Sequence, residues 1–389
     1  MICLIVSVGI IGIVTYVQNN ETVINEQVDA EYIPEIFKEY PLISGFRGAT
    51  FDGQFVYFAP YQNNHNIRHG YTANYNTKLP FDDSKAWNVF DIQALGIGFQ
   101  GALYHNDYVY YVPYFFDELI NQTGTKVVRY NTNMPYVNNT SWEAYGNFDS
   151  YEDGIVVGDF VYFSPHLDKN QKFNTKPLRY DTNKQFSDPA AWERIEFRLN
   201  HSYVGAAFDG RFIYYSPYAT NGEFITPIMI YDTTKKFTNN DSWKFLSIHE
   251  SGYSGVGFNG THVIFAPMST DKIMFLNVEN QKLDFYTVNN IGYQGVIETE
   301  KAVYLVPYGI HKIKGNAEII EITNSIKTFT PKIAKGGYWG GTYDGKFVYF
   351  TPYANGTKMH GDVLRYDTTK PFEEDDSWED FKIMGFRYN

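Results

Sequence analysis

Apolar residues fall along this chain in short dense runs, each closed by a proline. The first run is Phe55-Val56-Tyr57-Phe58-Ala59-Pro60. Equivalent runs end at Pro113, Pro165, Pro217, Pro267, Pro307 and Pro352, at spacings of 53, 52, 52, 50, 40 and 45 residues. A short run that is apolar on consecutive positions predicts a strand covered on both faces, because a half-exposed strand would alternate. Proline suits the end of such a strand, since it has no N–H for a further ladder bond. A recurrence at this period sets the architecture before any local assignment is made.

Three more strands are predicted around each run. Twelve residues before the proline stands Gly48, Gly101, Gly205, Gly255, Gly295 or Gly340; the third copy has Gly154, one residue closer. This glycine belongs to a short strand A, as in Gly45-Phe46-Arg47-Gly48. Asp52-Gly53, Asp209-Gly210, Asn259-Gly260 and Asp344-Gly345 then mark a hairpin into the apolar strand B, since such pairs supply the positive φ of a tight turn. Strand C ends in a recurring phrase: Tyr75-Asn76-Thr77, Tyr130-Asn131-Thr132, Tyr180-Asp181-Thr182, Tyr231-Asp232-Thr233 and Tyr366-Asp367-Thr368. Six residues after each tyrosine is an aromatic (Phe81, Tyr136, Phe186, Phe237, Phe372), and twelve after it a tryptophan that opens strand D (Trp87, Trp142, Trp192, Trp243, Trp378). Copies five and six lack the phrase and are shorter.

Small antiparallel sheets with two apolar faces are buried by packing face to face around an axis. The expected fold is therefore all-β: a seven-bladed β-propeller of four-stranded antiparallel blades over residues 42–389, preceded by an N-terminal hydrophobic helix. The phased aromatics are expected to fill the wedges between blades. Repeat length and four-strand logic resemble those of the kelch-type and WD-repeat propellers, and the resemblance spans residues 42–389. It implies the architecture alone. The Gly-His and Trp-Asp signature of WD repeats is missing, and the Gly-Gly pair of kelch repeats occurs in a comparable place only at Gly340-Gly341, so no functional residue is carried over. Gly385-Phe386-Arg387 repeats Gly45-Phe46-Arg47, one step into an eighth copy. The last strand D is expected beside the N-terminal region.

Met1–Val17 carries no charged side chain. As a helix at about 1.5 Å per residue it would be roughly 24–26 Å long, slightly short of a hydrocarbon core of about 30 Å. It reads as a signal anchor, or as a cleaved signal peptide whose obvious cleavage site is spoiled by Tyr16. Glu21, Glu26, Asp29 and Glu31 follow, with no Lys or Arg before Lys38, so nothing basic holds that side in the cytoplasm and the body is expected to be exported. Residues 18–41 read as a polar stalk in which Glu35-Ile36-Phe37-Lys38 could already be a strand.

Composition narrows the function. The formal charge of −12 argues against a nucleic-acid partner, which needs a basic face. One cysteine excludes an intrachain disulfide and a Cys-based zinc site. The nine histidines show no metalloprotease spacing, and no nucleophile elbow, P-loop or dinucleotide fingerprint stands in context, so no metal or cofactor is implied.

The B–C loops vary, at 15, 17, 15, 14 and 14 residues from proline to tyrosine in the complete copies, while the C–D spans do not. Variable loops on a rigid scaffold carry function. Loops B–C and D–A emerge on one side, which is the expected binding face. Two sets of residues mark it. The residue after each proline is Tyr61, Tyr114, His166, Tyr218, Met268, Tyr308 or Tyr353, and five tyrosines suit a sugar, peptide or protein partner. In strand A the axial position holds Arg47, Gln100, Glu152, Val204, Ser254, Gln294 or Trp339, a mixed set where side chains converge. Arg129, Arg179 and Arg365, just before the strand C phrase, read as structural ion-pairing or stacking groups. The leading expectation is an exported, membrane-tethered module binding a protein or glycan. The rival is an extracellular carbohydrate hydrolase or lyase using Arg47, Glu152 and His166, and a structural cell-surface component comes third.

Overall fold

The computed structural model describes residues 12–17, 23–28, 43–114, 125–220, 225–309, 316–356 and 358–383. Two compact units divide the chain at Leu42. In the first, Gly12–Val17 and Val23–Val28 form an antiparallel pair. Of the apolar helix expected over residues 1–17, residues 1–11 lie outside the described residues and 12–17 are strand. Ile13, Val14, Thr15 and Val17 are β-branched, which favours extended backbone. Glu35–Lys38 and Gly385–Arg387 also lie outside the described residues.

The second unit is a seven-bladed β-propeller. Its seven four-stranded antiparallel sheets each run in simple A-B-C-D order. Blade 1 is Phe46–Phe51, Phe55–Pro60, Tyr71–Asn76 and Trp87–Asp91; blade 7 is Tyr338–Tyr343, Phe347–Pro352, Asp362–Asp367 and Trp378–Lys382. Strand B is buried almost throughout in every blade, as its consecutive apolar residues predict. Asp52, Asp209 and Asp344 hold the A–B hairpins. Asp52 Oδ1 accepts from the Gln54 and Phe55 amides at 2.8 and 2.6 Å, and Oδ2 from the Tyr57 hydroxyl at 2.7 Å.

The Tyr-Asx-Thr phrase builds a corner. Its tyrosine hydroxyl donates to the carbonyl four residues on, at 2.6 to 2.9 Å in all five copies. The Asx side chain accepts from the amide two residues on, and the threonine hydroxyl reaches back to a carbonyl in the A–B hairpin. Each corner tryptophan donates its indole N–H to the carbonyl of the aromatic six residues earlier, at 2.8 to 3.1 Å. That aromatic then enters the wedge against the strand B tyrosine of the preceding blade: Tyr136 on Tyr57, Phe186 on Tyr110, Phe237 on Tyr162, Phe372 on Tyr304 and Phe81 on Tyr349, with centroids 5.9 to 6.4 Å apart.

The repeated arginines are inter-blade clasps. Arg365 pairs with Glu379 of its own blade, lies between the rings of Phe347 and Phe81 at 4.1 Å from each, and donates to the Tyr75 hydroxyl of blade 1 at 3.2 Å. Arg129 does the same with Glu143, Tyr108, Phe186 and Tyr180, and Arg179 with Glu193, Phe160, Phe237 and Tyr231.

Among the described residues ring closure exchanges no strand, because blade 7 is built wholly from C-terminal residues and blade 1 from N-terminal ones. Side chains and a few backbone bonds join them. Phe381 of the last strand stacks on Trp87 at 4.6 Å and 10°, and the Gly45 amide donates to the His360 carbonyl at 3.1 Å. The last strand D thus lies beside the first blade, as expected. Arg365→Met is predicted to lower stability by about 1–3 kcal/mol, since it removes a half-buried charge-assisted pair and leaves Glu379 unpaired. Urea unfolding measures this, with Lys282→Met at the exposed Lys282–Asp284 pair as the control that leaves the midpoint unchanged.

Candidate functional site

Every strand A carries a β-bulge where its axial residue sits. In blade 1, Phe46 pairs with Pro60 and Ala49 with Phe58, so one extra residue is accommodated at Arg47-Gly48. The same shift follows Phe99, Tyr151, Tyr203, Tyr253, Tyr293 and Tyr338. A bulge re-aims side chains, and here it recurs at Arg47, Gln100, Glu152, Val204, Ser254, Gln294 and Trp339. The glycine after it lets neighbouring blades touch: a Cβ on Gly255 would lie 2.7 Å from the Gly295 Cα. In blade 3 this place belongs to Asp153, in the left-handed region at φ 68°, and not to Gly154.

The post-proline residues meet the axial ones. Tyr308, Tyr353, Tyr61, Tyr114, His166 and Tyr218 form a continuous arc whose successive ring centroids are 5.4 to 6.0 Å apart. Met268 packs against the tyrosine cluster, and Trp339 stands edge-on to Tyr308 and Tyr353 at 4.9 Å. Tyr114 and Tyr218 are half-buried; Tyr61, Tyr308 and Tyr353 are buried.

Arg47 is the centre of this arc and only 6% exposed. Its guanidinium carbon lies 3.5 Å from the ring centroids of both Tyr61 and Trp339 and 4.5 Å from that of Tyr353. It donates to Gln100 Oε1 at 2.7 Å and to the Tyr353 hydroxyl at 2.9 Å, while Nε has no partner. Burial works against its charge, but the surrounding tyrosine oxygens and Glu152 outweigh that and hold the proton more tightly than usual. Gln294 and Val204 stand apart, buried at bulges of their own.

On the other arm of the arc, Glu152 Oε2 lies 3.1 Å from His166 Nδ1. The Ser202 hydroxyl meets the same Nδ1 at 2.5 Å, and Nε2 faces the Tyr114 hydroxyl at 3.4 Å. Burial, with Arg47 nearby, lowers His166 to about 3, so the ring is neutral. Burial raises Glu152 to about 7 against the pull of Arg47. Burial raises the Asp153 carboxyl to about 6, against the opposing pull of the Gly154 amide, which donates to Oδ1 at 2.8 Å. Burial pushes the Tyr218 hydroxyl up to about 12.

Ser202 and Asp153 belong to this site without having been read from the sequence. The one-residue slip of the blade 3 glycine was the signal for Asp153, because it leaves a carboxylate where the other copies have glycine. Nothing marked Ser202. Parts of the B–C loops of blades 2, 4 and 6, at 115–124, 221–224 and 310–315, lie outside the described residues. Among the described residues no group of three or more His, Cys, Asp or Glu is arranged to hold a metal, and no helix is long and apolar enough to cross a membrane.

No protein-family model matches the chain. No curated protein matches it either. Solved structures do. The chain is similar in fold to PorZ, described as an essential bacterial surface component of the type-IX secretion system of Porphyromonas gingivalis, at 11% identity and a TM-score of 0.56. That match covers 88% of this chain but only 39% of the PorZ chain. It is also similar to YjhT, at 11% identity and a TM-score of 0.51, over 74% of this chain and 98% of that one. At such identities the likeness is one of fold.

Glu152 and His166 have opposite effects on stability with pH. A carboxyl raised to about 7 adds stability that is present at low pH and lost as pH rises from about 4.5 to about 7; a histidine lowered to about 3 adds stability that is present above about 6.5 and lost as pH falls. Glu152→Gln removes the first effect alone. Relative to the parent, its stability is predicted to rise with pH between 5 and 8, by an amount on the order of 3 kcal/mol. Melting temperatures of the two proteins across that range measure it, and parallel curves would contradict it.

Proposed function

We propose that this protein is an exported β-propeller, held at the membrane by its N-terminal segment, that binds a protein or glycan partner through its variable-loop face. One observation carries the reading: the aromatic arc and the buried Arg47 converge at the axial mouth, on the side where the B–C loops vary. Tyrosine and tryptophan offer flat apolar faces with polar edges, which suits sugar rings and peptide side chains. Tyr114 and Tyr218 keep surface to offer; the more buried Tyr61, Tyr308 and Tyr353 back them. The uncharged residues 1–17, followed by an acidic flank, support export and tethering.

A second reading, an extracellular carbohydrate hydrolase or lyase, is favoured by the Glu152–His166 contact at 3.1 Å. A carboxyl near 7 is suited to general-acid work. Against it, Ser202 shares Nδ1 with Glu152 and the opposite ring nitrogen faces a tyrosine, so the three do not form a nucleophilic relay.

The full chain, applied to a glycan array and to pull-down from surface fractions, is expected to select one class of partner. Tyr114→Ala and Tyr218→Ala should each weaken that binding about tenfold or more with little change in melting temperature; full retention in both ends the proposal. Glu152→Gln should leave binding in place, whereas loss of glycan turnover in that variant would favour the enzyme. Deleting residues 2–17 should release the protein from the membrane fraction, and protease added to intact cells should digest the undeleted body.

A further inference from the structure

Strand D is the outer edge of every blade, and an edge strand offers unpaired backbone groups to any chain that can lie beside it. Six of the seven edges are blunted. Blade 3 ends in three residues, Trp192–Arg194. Blades 4 and 6 end in four, with Lys244 and Lys327 on them. Blade 2 bulges between Tyr145 and Phe148, blade 7 carries Glu379, Asp380 and Lys382, and blade 1 is half-buried as far as Phe90. Blade 5 differs. A tight turn at 278–281 replaces the tryptophan corner, and strand D is Leu283–Thr287. Among the described residues the exposed aromatic side chains are its Phe285 and Tyr286, each 45% exposed.

The ladder fixes which backbone groups of this strand face outward. The Asn277 amide donates to the Lys282 carbonyl at 3.0 Å, and the Val288 amide to the Asp271 carbonyl at 2.8 Å. Hydrogen-bonded pairs alternate between these two ends, so Asp284 with Phe275 and Tyr286 with Ile273 are the pairs bonded to strand C. The N–H and C=O groups of Leu283, Phe285 and Thr287 therefore point away from the blade. Lys282 neutralises Asp284 at 2.8 Å, and Lys272 beside Phe285 pairs with Glu250. The strand is thus locally neutral on a chain of net charge −12.

We propose that this edge pairs with the same strand of a second copy of the chain, in an antiparallel ribbon centred on Phe285. Three registers bring outward groups against outward groups near the middle of the strand. One sets Asp284 against Asp284 of the partner subunit, and like charges directly opposite are destabilising. Another carries Leu283 past the end of the facing strand. The third matches Leu283 with Thr287 of the partner subunit, Phe285 with Phe285 of the partner subunit, and Asp284 with Tyr286 of the partner subunit. It uses all three outward residues and places an aromatic pair on the dyad. Two such short strands bury less than the roughly 1,200 Å² of a standard interface, so the dimer is weak. Salt strengthens it by screening the repulsion between two acidic chains. The contact lies on the outer rim and does not rest on the binding proposed at the axial mouth.

Sedimentation equilibrium of the full chain in detergent is the test. The mass is expected to rise with concentration from one chain toward two, with a lower dissociation constant at higher salt. Phe285→Lys puts a charge on the dyad and should weaken the dimer about tenfold or more. Thr287→Pro removes an outward N–H that the blade does not use, and should weaken it by a similar factor at an unchanged melting temperature. Val137→Lys, at an exposed apolar position in blade 2, should leave it intact, and so should Tyr114→Ala at the axial mouth. A chain that stays monomeric overturns the proposal, whether or not the strand then takes an extended peptide. So does a dimer that salt dissociates, or one indifferent to both Phe285→Lys and Thr287→Pro, since it is held elsewhere.

Discussion

Seven sheets around one axis impose a volume that grows with radius, and the propeller depends on meeting it at both ends. At the axis the blades come so close that a Cβ on Gly295 would lie 2.7 Å from the Trp339 carbonyl and 3.0 Å from the Gly340 Cα. At the rim the same two sheets diverge by the width of a phenyl ring. Glycine inside and tryptophan outside are therefore two expressions of a single geometry. The corner phrase answers the outer demand. One tyrosine, one Asx and one threonine tie the C–D turn to itself and to the A–B hairpin, and so hold an aromatic where the neighbouring blade needs it.

The axial cluster follows from the inner demand. Close approach requires glycine, the glycine sits at a bulge, and the bulge turns the preceding side chain toward the axis. Because the repeat leaves that preceding position free, residues unrelated to one another gather there. With His166 neutral and Glu152 titrating only near neutrality, the fixed charges of the cluster are Arg68, 4.1 Å from the Tyr61 ring centroid, and, at its centre, Arg47. Aromatic faces solvate it in place of a carboxylate.

Much of this was legible in the residues. Prolines, glycines and tryptophans in phase are the physical requirements of strand end, axial contact and wedge, so they located the blades and their strands. The clasp role of Arg129, Arg179 and Arg365 was also readable, since the constant C–D span puts Glu143, Glu193 and Glu379 opposite them. The union of the two candidate sets was not. Arg47 and Tyr353 are 306 positions apart, and only ring closure brings them together. The absence of the corner phrase from blade 5 was visible, but that Leu276, Val278 and Leu283 pack into the cluster holding Tyr214 and Ile230 is a matter of packing that the phrase does not reveal. At the N-terminus the apolar run was read for length, while its β-branched residues carried the preference seen at residues 12–17.

The seam between blades 7 and 1 has a consequence for how the molecule comes into being. Trp87 and Phe81 are covered by Phe381 and Tyr349, residues that leave the ribosome nearly three hundred positions later. Until then the first blade presents its rings to solvent or to whatever escorts the nascent polypeptide. A truncation that removes the last strand would accordingly loosen the beginning of the wheel as much as its end.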